Sequence, residues 1–312
     1  MNKFSSQQFL FFLLTAPLLS SFMSGTAFSE TNSSPSIEQP PSPRDQIVQK
    51  ELDSLNRKHE VQIGTETFYS LFQRRHGRIA LQGWMYGFNG RYTYRPREND
   101  LFHFKFLDMY RLEGLYSFGK VDYSSPGSGA DYNVKDFMYE YRALLGKDLP
   151  VSEKTFVTPY LGFGYRYLRD DTGGRLTSDS AYGYLRQSSY WYLPLGIDLT
   201  TALSPRWQIV ANAEYDHWIQ GLLKSRFSDG TQFTTIDNDN IDNDQKRGLG
   251  VRGSIKLIHQ GKIVNFFIEP FIRYWHVKES KAETASVDGF DDIIIERKNK
   301  TTESGVRLGV QF

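Results

Sequence analysis

From Thr302 to Phe312 the apolar residues Val306, Leu308, Val310 and Phe312 alternate with Arg307, Gly309 and Gln311. A period of two belongs to an extended strand, whose successive side chains leave opposite faces. The alternation recurs along the chain after His59. It predicts ten strands, near 60–72, 78–94, 101–123, 134–146, 154–169, 185–202, 206–227, 246–258, 262–278 and 300–312. Leu193, Leu195, Ile197 and Leu199 oppose Tyr192, Gly196, Asp198 and Thr200; Leu249, Val251, Ile255 and Leu257 oppose Gly248, Gly250, Arg252, Ser254 and Lys256. Repeated along a whole chain, this pattern suits a wall with oil outside and polar groups within, closed so that no backbone edge meets lipid.

The connections carry the same message. Short ones at 95–100, 147–153, 203–205 and 259–261 alternate with longer polar ones at 124–133, 170–184, 228–245 and 279–299, the first, 73–77, being a short exception. Short turns on one rim and long loops on the other are the habit of transmembrane barrels. The expected fold class is therefore all-β, a closed antiparallel ten-stranded transmembrane β-barrel over residues 59–312. An even strand count returns both ends to one rim.

Ahead of the barrel, Lys3 precedes an apolar stretch from Phe9 to Leu19, and Ala27 and Ser29 supply small residues at spacing two. Residues 1–29 read as a secretory signal peptide, too short and too interrupted by Thr15 and Pro17 for a helical span. Residues 30–58 read as a flexible arm. It opens with a Pro/Ser-rich tether from Ser33 to Pro43, and Ile47, Val48, Leu52 and Leu55 then fall at the spacing of a short amphipathic helix.

Composition changes the picture only when set against a barrel. A mean hydropathy of −0.50 would suit a soluble protein, but a barrel wall hides only alternate residues in lipid. Aromatic residues make up 15% of the chain, and such barrels place them in girdles at the two membrane interfaces. There are no cysteines, so no disulfide framework exists. Of 37 basic residues Lys3 lies in the leader, leaving 36 against 36 acidic ones; nothing in that balance points to nucleic acid.

Carried through every strand, the alternation turns eight acids inward: Glu66, Glu113, Glu140, Asp198, Glu214, Asp216, Glu269 and Glu303. Eight bases join them: Arg91, Arg111, Arg142, Arg166, Arg252, Lys256, Arg273 and Arg307. A barrel of this size has an interior largely filled by side chains, whereas open porins have about 16 to 18 strands. Opposite charges fill such a space because each neutralises its neighbour, while an unpaired ion would be costly. The expectation is a plugged lumen with a charge network. A narrow channel for ions or small solutes is the alternative; channels, however, tend to line constrictions with charge of one sign. Asp108 falls on the lipid side of its predicted strand, and Pro159, Pro194 and Pro270 sit within strands, where bulges would accommodate them.

Candidate chemistry is sparse. The six histidines form no i, i+2 or i, i+4 pair and there is no Gly-x-Ser-x-Gly elbow, so neither a metal nor another cofactor is expected. Asp237, Asn238, Asp239, Asn240, Asp242, Asn243 and Asp244 crowd oxygen atoms into one loop. An EF-hand started at Asp237 would need an oxygen ligand and a glycine where Ile241 and Asp242 stand, so a solvated acidic loop is expected. Arg74, Arg75, Arg78, Arg169 and Arg226 near the rims suit lipopolysaccharide phosphates.

The closing run Gly305-Val306-Arg307-Leu308-Gly309-Val310-Gln311-Phe312 resembles the sorting signal of bacterial outer-membrane β-barrel proteins. With the leader, the alternation and the loop asymmetry, the chain from about Glu60 onward is similar to that broad superfamily. The resemblance implies a Gram-negative outer membrane with both termini periplasmic. It also implies Val306, Leu308, Val310 and Phe312 as an assembly signal read by the barrel-assembly machinery, outer-membrane lipid and lipopolysaccharide as surroundings, and a structural or surface-interaction role for the long loops. Asp216, His217 and Glu214 also invite comparison with omptin proteases, ten-stranded barrels whose rim carries an Asp/His pair facing an acidic pair. Here Asp216 and His217 are adjacent, as are Asp170 and Asp171, and adjacent strand residues point to opposite faces.

Overall fold

The structure is a computed structural model that describes residues 57–74, 78–229, 240–287 and 290–312. The leader, the proline-rich tether, its amphipathic stretch, Arg75 and the aspartates 237 and 239 lie outside the described residues.

Among the described residues fourteen strands follow in chain order: β1 (His59–Arg74), β2 (Ile79–Tyr94), β3 (Met109–Ser125), β4 (Gly129–Gly146), β5 (Leu149–Ser152), β6 (Thr155–Asp171), β7 (Leu185–Ser204), β8 (Trp207–Arg226), β9 (Asn240–Gln245), β10 (Gly248–His259), β11 (Asn265–Val277), β12 (Glu283–Val287), β13 (Phe290–Ile294) and β14 (Asn299–Gln311). Ten of them, all but β5, β9, β12 and β13, form one antiparallel ring in the order β1-β2-β3-β4-β6-β7-β8-β10-β11-β14. The ring closes where β14 pairs with β1, from Gln62 opposite Gln311 to Arg74 opposite Asn299. Val61 and Phe312 exchange backbone hydrogen bonds of 2.9 and 3.3 Å at the edge of that seam. Each predicted strand corresponds to one wall strand. β5 is a short flap on β6, β9 prolongs the wall beside β8, and β12 and β13 make a separate hairpin.

The outward side chains of β7, Leu193, Leu195, Ile197 and Leu199, are exposed while Tyr192, Asp198 and Thr200 between them are buried. The two faces thus divide as the alternation requires. Along β2 to β7 the outer face carries a band of rings: Tyr116 neighbours Phe137, Tyr139 stacks on Tyr167 at 4.9 Å, and Tyr165 meets Trp191 at 4.3 Å between centroids.

Several local expectations need correction. Residues 101–108 are not strand. Successive i to i+3 turns, His103 N–H to Asp100 and Leu107 N–H to Phe104, fold them into a surface loop. Asp108 therefore does not face lipid; it sits at the end of this loop, 2.9 Å from Lys147 and accepting the Asp148 N–H. Nor do bulges house the prolines. At Pro194 and Pro270 one neighbouring ladder skips two positions and resumes in the same register. Pro159 pairs regularly with Ile197, just past the end of the β4 ladder. A strand N–H serves only one neighbour, so a missing donor costs one bond and no shift. The bulge in β8 falls instead opposite Trp191 and Tyr192. The 124–133 loop shrinks to a tight turn at 126–128 between lengthened β3 and β4. Asp242, Asn243 and Asp244, expected in a loop, belong to β9; Asp242 lies 3.6 Å from both Lys224 and Arg226.

The rim opposite the chain ends holds an ordered clamp. Arg175, in the connection 172–184, grips Asp131 through two hydrogen bonds of 2.6 and 2.7 Å and donates a third to the Tyr132 carbonyl. Those bonds hold the guanidinium above its ordinary pKa.

Candidate functional site: the charged lumen

All sixteen inward charges named from the alternation take part in ion pairs. They sort into two chains and a pair. In the first chain Arg166 meets Glu303, which Arg273 also reaches at 2.7 Å. Arg273 continues to Glu66 at 2.9 Å, Glu66 to Arg307 at 2.9 Å, Arg307 to Glu269 at 3.4 Å and Glu269 to Lys256 at 3.3 Å. In the second, Arg91 and Arg142 each lie 2.8 Å from Glu113, and Arg142 also binds Glu214. Arg252 completes it, 3.2 Å from Glu214, 2.7 Å from Asp216 and bidentate on Glu140 at 2.5 and 2.9 Å. Arg111 and Asp198 stand apart at 2.8 Å.

The first chain holds four bases and three acids, the second three bases and four acids. Each surplus offsets the other, so the lattice as a whole is neutral. Arg166 and Asp216 are both 0% exposed, and an ion so placed is tolerated only with its partners and hydrogen bonds in place.

Strand alternation did not reveal what supports this lattice. Hydroxyls and amides add donors to the carboxylates: Tyr192 O–H donates to Glu140 at 2.5 Å, Tyr160 O–H to Glu214 at 2.6 Å, Asn212 to Asp198 at 2.7 Å and Ser254 to Glu269 at 2.8 Å. Gly164 and Gly196 make room for the two tyrosines. A Cβ on Gly164 would lie 2.2 Å from the Tyr192 ring, and one on Gly196 would lie 2.4 Å from Tyr160. Aromatic faces receive the guanidiniums: Arg273 lies 4.8 Å from the Phe68 centroid and 4.5 Å from Phe271, Arg307 4.4 Å from Phe271, and Arg252 5.3 Å from both Tyr192 and Trp275. Cation–π attraction grows when the cation is desolvated.

The interior is also more apolar than a purely polar filling. Phe68, Leu81, Met85, Leu115, Val121, Val134, Met138 and Phe271 form one inward cluster, and Tyr190, Tyr192, Trp218, Trp275 and Val277 another. A further ion cluster, Glu296 with Arg74 at 2.8 Å and Arg186 at 2.9 Å, went unread because Glu296 comes from the connection before β14, where alternation assigns no face.

The spaces left are small. One beside Gln62, Arg91, Glu113, Arg142 and Arg252 amounts to about 40 Å³, and another beside Arg111, Tyr160 and Asn212 to about 30 Å³. Each has room for about two or three water molecules. The omptin-like dyad does not assemble. Asp216 points inward to Arg252, while His217 is exposed on the outer face beside Tyr215. Among the described residues no group of three or more metal-ligating side chains comes together.

No protein-family model and no curated protein matches the sequence. Solved structures do. The outer membrane protease OmpT from Escherichia coli aligns over 82% of this chain and 97% of its own, at 8% identity and a TM-score of 0.61. Ail, the attachment invasion locus protein of Yersinia pestis, aligns over 82% of this chain and 100% of its own at 13% identity and a TM-score of 0.28. A mutant of the monoaromatic hydrocarbon channel TodX covers 83% of this chain at a TM-score of 0.34. At such identities the first likeness speaks to fold alone, and it agrees with the ring of ten antiparallel strands: the chain has the fold of the outer-membrane β-barrels.

Proposed function

We propose that the protein is an integral outer-membrane barrel with both chain ends on the periplasmic side. In this reading its lumen is closed by the charge lattice, and its work is done by the outer face and the loops of the far rim. One observation carries it. Sixteen inward charges neutralise one another through contacts reaching across the ring, and the spaces beside them are of water size. An ion entering would have to displace a paired guanidinium or carboxylate from a desolvated site. The ordered clamp between Arg175 and Asp131 supports a surface role, because it presents the 172–184 connection as a shaped body.

Purified protein in planar bilayers tests the closure. The expected record is silent across voltages for the wild type, with Arg252→Ala, which unties Glu140, Glu214 and Asp216 together, giving discrete conductance steps. Steps from the wild type that change in size with Arg252→Ala or Glu269→Ala establish a narrow channel instead.

A further inference from the structure

Two cations on the outer face lack the compensation that those inside receive. Lys120 of β3 and Lys135 of β4 are direct cross-strand partners, and Trp84 is the partner of Lys120 on β2. Side chains so placed start about 4.5–5.5 Å apart, and like charges there repel. Both lysines are exposed, and among the described residues neither has an ion-pair partner. The acids nearby are engaged elsewhere. Asp122 accepts the Asn133 N–H at 3.0 Å, and Asp171, opposite Lys135 in register, is held by Arg169 at 3.0 Å.

Below the lysines, toward the chain ends, lie the outward rings of Tyr86, Phe118 and Phe137, with Tyr116 in the next row. The lysines and rings, with Asp122 and Asp136 at the same wall, line a groove of about 770 Å³. We propose that this groove binds the phosphoryl headgroup of a membrane lipid. The two ammonium groups share the phosphate, and the aromatic floor receives the first segments of its acyl chains. A phosphate supplies a negative charge to the Lys120–Lys135 pair, which no carboxylate bridges, and lysine is a common partner for it. A lipid suits the groove better than a free anion, because a free anion would fill only its charged end and leave the rings uncovered. The inference rests on the reading that the outer wall lies in lipid.

The test uses full-length protein in neutral detergent micelles, titrated with phosphatidic acid or diacylglycerol, both carrying brominated acyl chains that quench tryptophan. The Trp84 signal is isolated as the difference between wild type and Trp84→Phe. Expected is half-quenching by phosphatidic acid at roughly tenfold lower concentration than by diacylglycerol, the factor that one to two charge-assisted contacts supply. Lys120→Gln with Lys135→Gln removes that advantage, and Lys120→Arg with Lys135→Arg keeps it. Equal quenching by the two lipids, or an unchanged advantage in the glutamine pair, overturns the site. So does displacement of the lipid by inorganic phosphate at matching concentrations, which marks an ion site only. Absence of quenching by either lipid overturns the placement of the wall in lipid, and the groove with it.

Discussion

The inner and outer faces of the same ten strands use arginine, lysine and aromatic rings to opposite ends. Inside, Arg273 lies between two phenylalanine rings and holds two carboxylates; every cation named from the alternation is matched. Outside, the rings form a broad exposed belt and the two lysines above it face each other without an acid between them. The difference teaches that a residue type alone says little in a barrel. Its face decides whether a charge is structural filling or is left open for something else.

The comparison can be broken first from within. Arg273→Ala takes one of two arginines from each of Glu66 and Glu303, which are almost wholly buried and keep only Arg307 and Arg166, and should cost about 3–5 kcal/mol. The fall in the urea midpoint of heat-modifiable gel mobility measures it. Combining Arg273→Met with Glu66→Gln should recover part of that loss, since one base and one acid leave together while Glu303 keeps Arg166 and Arg307 keeps Glu269. Next comes the wall: Leu195→Arg sets a cation where Leu161 and Tyr215 are the neighbours, with an expected loss of about 2–4 kcal/mol if the site lies near the midplane. The same assay in thicker and thinner bilayers should move this value and leave the Arg273 value unmoved. Tyr192→Phe removes a hydroxyl that donates to Glu140 and accepts from Arg252. A loss of about 1.5–3 kcal/mol is expected in urea unfolding.

The smallest effect lies at the rim of the chain ends, where Lys58 hydrogen-bonds Asp100 at 2.7 Å and holds its carboxyl down at about 2. A carboxyl whose pKa is lower folded than unfolded stabilises above the unfolded value, about 3.9, and loses that contribution as pH falls through about 2. Asp100→Asn should therefore be slightly less stable than the wild type near neutrality, with the difference between the two fading between about pH 4 and 2. An acid titration of both proteins, followed by gel mobility, decides it.

The ring of strands was legible because lipid outside and a polar interior impose a period of two, and that period survives in β7 and β14 without help from tertiary context. It misled where a loop imitated it. Phe102, Phe104 and Phe106 alternate with His103 and Lys105, yet Asp100 starts a run of turns that no hydrophobic period encodes. The inward charges could be named from parity. Their partners could not, because pairing across the lumen depends on how the strands are sheared: Arg166 meets Glu303 across 137 residues and Arg252 meets Glu140 across 112. The aromatic supports escaped for a related reason. Phe68 and Phe271 look like lipid-facing residues in composition, and only the faces they occupy make them seats for guanidiniums.

The join between β1 and β14 carries a key of its own. Glu66 faces Arg307 in register and binds it, so sliding one strand past the other by two places would keep the greasy face outside and yet pull these partners apart. Lipid sorts only odd from even, whereas this contact distinguishes one even offset from the next. Closure is thereby proofread at the one edge where the sheet must find itself.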